Sequence, residues 1–96
     1  MNPEPRSSPV VHNQASSRFE IVEGSHTAVL EYRISHGALV LTHTGVPQEI
    51  EGMGVGGALV KAAFEYARSH GLKVRPLCPF VKKYLERHPE YAELVA

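Results

Sequence analysis

The sequence lacks several features that would assign it to a common class of protein. It has one cysteine, Cys78, so no disulfide can form within the chain. No stretch approaches the roughly 20 apolar residues of a membrane-spanning helix, which predicts a soluble protein without a membrane partner. Ten basic residues balance ten acidic ones, so bulk charge gives no reason to expect a nucleic-acid partner. The six histidines are scattered without zinc-ligand spacing, and no metal site is predicted.

The first 17 residues, MNPEPRSSPVVHNQASS, differ in composition from the rest of the chain. They are rich in proline, serine and asparagine and contain few apolar side chains, which predicts a disordered leader. The prolines and the missing apolar centre are atypical of a secretory signal peptide. We therefore predict a leader over residues 1–17, a single domain over residues 18–96, and a cytoplasmic location.

Alternating apolar and polar residues predict a small sheet in the first half of the domain. The runs RFEIVEG, TAVLEYRIS and ALVLTHTGV are rich in β-prone residues and are separated by glycine-containing turns, which predicts a three-strand meander. The period of two in the second run places four residues on the face that should be buried: Ala28, Leu30, Tyr32 and Ile34.

The second half of the domain shows helical spacing. Apolar residues recur every three or four positions from about Gly54 to His70, and Gly71 is placed to cap the helix. LKVRPL then predicts a strand parallel to its neighbour, and Pro79 suits the first turn of a second helix. The inward residues expected on that helix are Phe80, Tyr84 and Leu85. The predicted fold class is α/β (α+β), a compact mixed sheet in the order β-β-β-α-β-α with the long helix packed on it.

A glycine cluster stands where the long helix begins, in EIEGMGVGGALV: Gly52, Gly54, Gly56 and Gly57. Glycine marks positions where φ must be positive or where another group must approach the backbone closely. The first N–H groups of a helix have no internal partner and carry partial positive charge, so such an entry can cradle an anion, phosphate first of all. Spacing alone is equally compatible with a tight loop that only packs the helix against the sheet.

Two common phosphate motifs do not fit this cluster. A nucleotide P-loop needs Lys followed by Ser or Thr after its last glycine, whereas this chain has Ala58 and Leu59. A dinucleotide-binding domain needs another glycine spacing and a longer series of βαβ units than 96 residues can supply. A pyrophosphate loop of another kind remains.

From about Phe19 to Val95 the chain resembles the GNAT superfamily of N-acetyltransferases, and in particular its minimal, stand-alone, GNAT-like members. The resemblance is carried by the order of the elements and by two segments, HTGVPQEIEGMGVGGALV and PLCPFVKKYLERHPEY. The superfamily loop reads Gln or Arg, two residues, Gly, one residue, then Gly or Ala, and the matching residues are Glu51, Gly54 and Gly56. Glu51 departs from that pattern, which has Gln or Arg at this position. A carboxylate there would repel a pyrophosphate.

The resemblance implies a donor site for acetyl coenzyme A. The loop backbone would hold the pyrophosphate, and two diverging strands would receive the pantetheine arm, with its thioester directed toward Cys78. The implied donor-binding residues are Val46, Gly52, Met53, Gly54, Val55, Gly56, Gly57 and Cys78. The acceptor would be an amine that the sequence does not identify, whether a protein lysine, a polyamine or a small metabolite.

Candidate catalytic residues follow from the chemistry of acetyl transfer, which needs a neutral amine, a donor to the oxyanion and a proton for the leaving thiolate. The backbone N–H near Val46 is a candidate oxyanion donor. Cys78 precedes a proline that opens a helix, a position that lowers a thiol pKa, so it could accept the acetyl group, or it could be a small buried residue. Tyr84 stands where the superfamily often keeps a tyrosine as general acid, and it could equally be a core aromatic.

His43 and Glu49 flank the loop and are the weaker candidates for a base. His43 follows Leu41 by two positions and is therefore expected to point inward, where a lone histidine is more often a hydrogen-bonded core residue than a catalyst, and Glu49 could simply be solvated. Two further functions stay open: a module that binds coenzyme A or acyl coenzyme A without efficient transfer, and an interaction domain. Donor-dependent stabilisation separates the last of these from the others.

Overall fold

The structure is a computed structural model that describes residues 8–96. In chain order the strands and helices are β1 (Val11–Asn13), β2 (Arg18–Glu23), β3 (His26–Ser35), β4 (Ala38–Gly45), α1 (Val55–Ser69), β5 (Lys73–Pro76) and α2 (Pro79–Arg87). Short 3₁₀ helices cover Gln48–Ile50 and Pro89–Leu94. The five strands lie side by side in sequence order, and only the β4–β5 pairing is parallel. The predicted mixed sheet and the order of its elements are confirmed.

The N-terminal strand β1 corrects the prediction that residues 1–17 form a disordered leader. Residues Val11–Asn13 pair with β2 at the edge of the sheet, and the side chain of His12 stacks on Phe19 at a ring separation of 4.2 Å. The prolines and serines that suggested disorder surround a short β-prone segment, and ring contacts with the core hold that segment in place. The rest of the predicted leader, residues 1–7, lies outside the described residues.

Helix α1 covers one face of the sheet, which we call the covered face. Its buried side chains meet inward residues of the strands, and the largest fully buried side chains include Phe64, Ile21, Leu30 and Leu59. The main stabilisation of such a core comes from removing apolar surface from water, which contributes roughly 25 cal/mol for each Å² buried. Helix α2 packs beside α1, so the opposite face of the sheet, the open face, carries exposed side chains such as Arg33 and Arg75.

The ends of α1 agree with the sequence. The helix begins after Gly54, and Gly71 follows its last turn with a φ of +67°, a left-handed conformation that glycine adopts without strain. The N–H of Leu72 then returns to the carbonyl of Ala67 at 2.9 Å and satisfies one of the last carbonyls of the helix. Within residues 8–96, no helix is long and apolar enough to cross a membrane.

Two predictions about buried faces are corrected, one of them only in part. Ile34 is 51% exposed, because it lies near the end of β3. On α2 the fully buried residue is Val81 and Phe80 is 42% exposed, whereas Tyr84 and Leu85 are half-buried and pack against the core, as predicted. The short helix turns Val81 toward the core, and Phe80 lies at the edge of the cavity described below.

Candidate functional site

An opening between β4 and β5 is the starting point of the candidate site. Pairing between these strands ends at Leu41 and Pro76, and the N–H of Leu77 makes one more bond to the Leu41 carbonyl at 3.1 Å. Strand β4 continues to Gly45, whereas the chain after β5 turns away into α2. Within residues 8–96, the last residues of β4, 42–45, therefore pair with no strand on the β5 side, as the family resemblance implied for two diverging strands.

A β-bulge decides which β4 side chains face this opening. Consecutive β3 residues pair with His43 and Leu41, so Thr42 is the extra residue, and its hydroxyl donates to the Glu31 carbonyl at 3.2 Å. A bulge reverses the alternation of side chains beyond it. Thr44 therefore points to the covered face, and His43 lies exposed on the open face.

A cavity of about 620 Å³ lies at this opening, on the covered side. Its lining joins the end of β4, the glycine loop, the first three residues of α1 and one residue of α2: Thr44, Val46, Glu51, Gly52, Gly54, Val55, Gly56, Gly57 and Phe80. Glu51 is the only charged residue in this lining. Most of the donor-binding residues expected from the sequence thus line one cavity.

The four glycines of the loop serve two different purposes. Gly52 and Gly54 have φ values of +86° and +79°, and no heavy atom lies within 4 Å of where a Cβ would stand. Gly56 and Gly57 lie inside α1, and aromatic rings of α2 approach them: a Cβ at Gly56 would be 2.5 Å from Cζ of Phe80. The first pair bends the loop so that backbone faces the cavity, and the second lets α2 pack closely against α1.

Cys78 lies behind the cavity wall. It is 7% exposed and does not line the cavity itself, but its Sγ is 3.3 Å from Oγ1 of Thr44, which does. Burial raises the pKa of the thiol, and hydrogen bonds from Thr44 and from the first backbone N–H groups of α2 lower it. The balance places the pKa of Cys78 below the ordinary thiol value.

Tyr84 does not reach the donor cavity. Its ring stacks on His88 at a centroid distance of 4.0 Å and meets Phe64 edge to face at 5.8 Å. It lines a neighbouring cavity instead, and burial, with the charges of Glu90 and Glu65, raises the pKa of its phenol. The structure therefore brings Cys78 and Thr44 together but keeps Tyr84 apart from them.

The weaker base candidates and Met53 also lie outside the lining. The expectation that His43 points inward is wrong, because the bulge at Thr42 turns it to the open face. Glu49 has a side chain 65% exposed, and its carboxylate is 3.8 Å from the His26 ring. Met53 is half-buried and packs against the core.

Sequence reasoning missed two residues of the site, Thr44 and Phe80. The alternation of side chains along β4 predicts that Thr44 faces outward when the bulge is not taken into account. No residue in THTG indicates a bulge. Phe80 could have been suspected from a pattern that was visible, namely an aromatic residue in the first turn of α2 and glycines in the first turn of α1. Close helix packing needs such a pair.

Comparisons with known proteins identify the family of this chain. The family model described as GCN5-related N-acetyl-transferase matches residues 18–94. Protein NATD1 from Danio rerio is 32% identical over 91 residues, which span 90% of this chain and 83% of that protein. Protein NATD1 from Homo sapiens is 32% identical over 83 residues, which span 83% of this chain and 74% of that protein.

A solved structure agrees with the sequence matches. The NMR solution structure of a GCN5-like protein from Staphylococcus aureus superposes with a TM-score of 0.72 at 31% identity, covering 91% of this chain and 86% of that one. At this identity the likeness extends beyond the fold to the family, in agreement with the matched domain. This chain belongs to the GCN5-related N-acetyltransferase family.

Proposed function

We propose that this protein binds acetyl coenzyme A and transfers its acetyl group to an amine. One observation carries the proposal: a single cavity extends from the glycine loop at the start of α1 to Thr44, whose hydroxyl contacts the Cys78 sulfur. Open backbone at the start of α1 suits a pyrophosphate, and the other end of the same cavity, where Thr44 is backed by the Cys78 thiol, has room for a thioester.

The donor would be held mainly by backbone groups. Gly52 and Gly54 leave open space above the loop, and the unpaired N–H groups of the first turn of α1 supply hydrogen bonds to phosphate oxygens. Val46 and Val55 line the cavity and would contact the pantetheine arm. Glu51 would weaken the binding of the phosphates, because it places a negative charge at the cavity that would hold them.

Transfer would occur in the opening between β4 and β5. A neutral amine attacks the thioester carbonyl, a C–N bond forms, the C–S bond breaks, and the proton lost by the amine ends on the coenzyme A sulfur. The backbone N–H of Val46, at the end of β4, is our candidate donor to the developing oxyanion. The direct route needs nothing from Cys78 beyond its contribution to the shape and polarity of the wall.

A second route uses the thiolate of Cys78. It would attack the same carbonyl, release coenzyme A, which takes the proton that Cys78 has lost, and later pass the acetyl group to the amine. The lowered pKa of Cys78 favours this route, and its burial behind Thr44 opposes it. We favour direct transfer. Tyr84 could donate a proton only if its ring left the stack on His88, so we assign it no step in the direct route.

The amine would arrive from the open face, because the donor occupies the covered one. His43 is exposed there, one residue from Thr44 along β4, and it is the candidate that could accept a proton from an arriving ammonium group. Glu49 has no such position, since its carboxylate lies beside His26. The acceptor is not specified by these contacts.

Calorimetry with acetyl coenzyme A, followed by mass spectrometry of an acceptor mixture, tests the proposal. The mixture would contain a lysine peptide, a polyamine and small amino metabolites, and we expect donor binding and at least one acetylated product. Donor binding without any product would indicate a coenzyme A binding module. No heat and no thermal stabilisation would indicate an interaction domain and would overturn the proposal.

A further inference from the structure

We propose that a second cavity, between α2 and the start of α1, binds the ribose 3′-phosphate of coenzyme A. This inference rests on the proposed function, because it concerns the same ligand. The cavity measures about 480 Å³ and is lined by Gly57, Phe80, Lys83, Tyr84, Arg87 and His88. We call it the α2 cavity.

The sequence of α2 builds this cavity through helical spacing. Phe80, Lys83, Tyr84 and Arg87 are separated by three, four and seven positions, so they share one face of the helix. The two aromatic residues of this stripe contact the first turn of α1, since Cβ atoms at Gly56 and Gly57 would be 2.5 and 3.6 Å from their rings. The aromatic contacts therefore place both cationic side chains next to the anion-binding end of α1.

The α2 cavity adjoins the donor cavity. Gly57 and Phe80 line both, so the ring of Phe80 is the only side chain that separates the two spaces in the lining they share. A ligand whose pyrophosphate lies at the glycine loop can therefore extend past Phe80 toward Lys83 and Arg87.

Charge identifies the kind of group that fits. Lys83 and Arg87 stand four residues apart and repel each other, and no acidic residue lines their cavity. Within residues 8–96 neither side chain makes a hydrogen bond or a salt bridge, and the nearby carboxylate of Glu90 faces the His88 ring at 3.4 Å. Both side chains are exposed at this cavity, and an anion that entered it would meet two cations and no carboxylate.

The two cavities divide the charged groups between them. The donor cavity has one charged lining residue, Glu51, and no cation, whereas the α2 cavity has two cations and no carboxylate. Coenzyme A carries a pyrophosphate, which backbone N–H groups can hold, and a dianionic phosphate on its ribose, which suits lysine and arginine. The two cations of α2 would thus attract coenzyme A and offset the repulsion between Glu51 and the pyrophosphate at the loop.

Matched ligands test this assignment. We would measure the dissociation constants of coenzyme A and 3′-dephospho-coenzyme A on the full chain, at one fixed ionic strength. For the wild type we expect about five- to tenfold weaker binding of the dephospho form, the size of two solvent-exposed ion pairs. The double variant K83A/R87A should bind the dephospho form as tightly as the wild type does. The ratio of its dissociation constants for the dephospho form and for coenzyme A should fall to about one.

The variant Lys82→Ala is the matched control, because Lys82 is exposed on the same helix and lines neither cavity. It should keep the wild-type ratio, and so should Lys83→Arg, which keeps the charge. Two results would overturn the α2 cavity assignment while leaving donor binding intact. One is equal affinity of the wild type for both ligands, and the other is a ratio of dissociation constants that falls as far in Lys82→Ala as in the double variant. If neither ligand binds the wild type, the proposed function fails together with it.

Discussion

The ring of Phe80 lies directly against the backbone of Gly56, where a Cβ atom would stand 2.5 Å from Cζ. Gly56 has ordinary helical φ, so this contact, and not an unusual backbone conformation, is the reason that no side chain fits there. Phe80 is 42% exposed, which leaves its ring free to swing outward if it is pushed.

This contact predicts a coupling between residues 56 and 80. Replacing a helical glycine by alanine stabilises by about 0.5–1 kcal/mol when nothing opposes it. We expect that gain for Gly56→Ala in a Phe80→Ala background and a smaller or reversed effect in the wild type, measured by urea denaturation. Gly57→Ala is the control, since its Cβ would meet Tyr84 at an ordinary 3.6 Å. An equal gain for Gly56→Ala in both backgrounds would contradict the contact.

Glu51 should limit donor affinity. The variant Glu51→Arg removes a negative charge from the cavity and adds a phosphate-binding guanidinium, so we expect about two- to fivefold tighter binding of acetyl coenzyme A, reduced by added salt. Glu49→Arg makes the same charge change on a neighbouring side chain that is 65% exposed and outside the lining. If both variants tighten binding equally, general attraction explains the effect and Glu51 has no specific role.

The Cys78 thiol should ionise at a lower pH in the folded protein than in the unfolded chain. The lowered pKa means that this group adds stability as pH rises from the folded pKa toward the unfolded value, and that this contribution is lost on acidification through the folded pKa. Thiolate absorbance near 240 nm, recorded with and without urea, measures the difference. Thr44→Val should reduce it, because the variant removes one hydrogen bond to the sulfur. Coincident titrations of the folded and the unfolded protein would contradict the lowered pKa of Cys78.

The two routes of transfer make different predictions for Cys78→Ser. On the direct route, which we favour, the variant keeps most of its activity and no acetyl group appears on the wild-type protein when the acceptor is omitted. Intact-protein mass spectrometry after incubation with acetyl coenzyme A detects such an adduct. An acetyl group on Cys78 that passes to an added amine at the turnover rate would establish the covalent route instead.

His12 should make the N-terminal strand sensitive to acid. Its Nε2 is 2.6 Å from the Tyr32 hydroxyl, its ring meets Phe19 and Tyr66, and burial and the nearby His70 lower its pKa. The unfolded chain therefore takes up this proton first, and stability should fall as pH drops through the unfolded value near 6.5 toward the folded one.

Thermal unfolding between pH 7.5 and 5 measures this loss. His12→Asn should unfold at a lower temperature than the wild type at neutral pH and lose less on acidification. His36→Asn is the control, because His36 is exposed in a turn where asparagine tolerates its φ of +52°. The same pH dependence in the wild type and in His12→Asn would exclude His12 as its source.

Most of the fold could be predicted from the sequence because it rests on local patterns. The β-prone runs of β2 to β4, the period of two in β3, the helical period of α1 with its cap at Gly71, and the proline that opens α2 are each visible in the local sequence. Strand β1 was not foreseen, because His12 in this segment is held by contacts with Tyr32 and Tyr66, which lie far away in sequence.

The site was harder to predict than the fold, since side-chain direction depends on details that sequence does not display. The glycine loop and Val46, which were predicted to bind the donor, line one cavity, because the position of the loop follows from the order of the elements. His43 and Thr44 lie on the opposite faces of the sheet from those that the alternation predicts, because the extra residue Thr42 reverses it. Tyr84, a candidate general acid in the sequence, lines the cavity beside the donor cavity, because α2 approaches α1 closely at Gly57 and holds the tyrosine ring there.

The most direct test of the account is an NMR titration of the uniformly labelled protein with acetyl coenzyme A. The glycine amides of residues 52, 54, 56 and 57 have few counterparts in the spectrum, since the chain contains eight glycines in total. We predict saturable shifts that are largest at these four amides and at Val46 and Thr44, with little change at Arg33 and Arg75 on the open face. Unchanged loop amides at saturating donor, or shifts confined to the open face, would contradict the assignment of this cavity as the donor site.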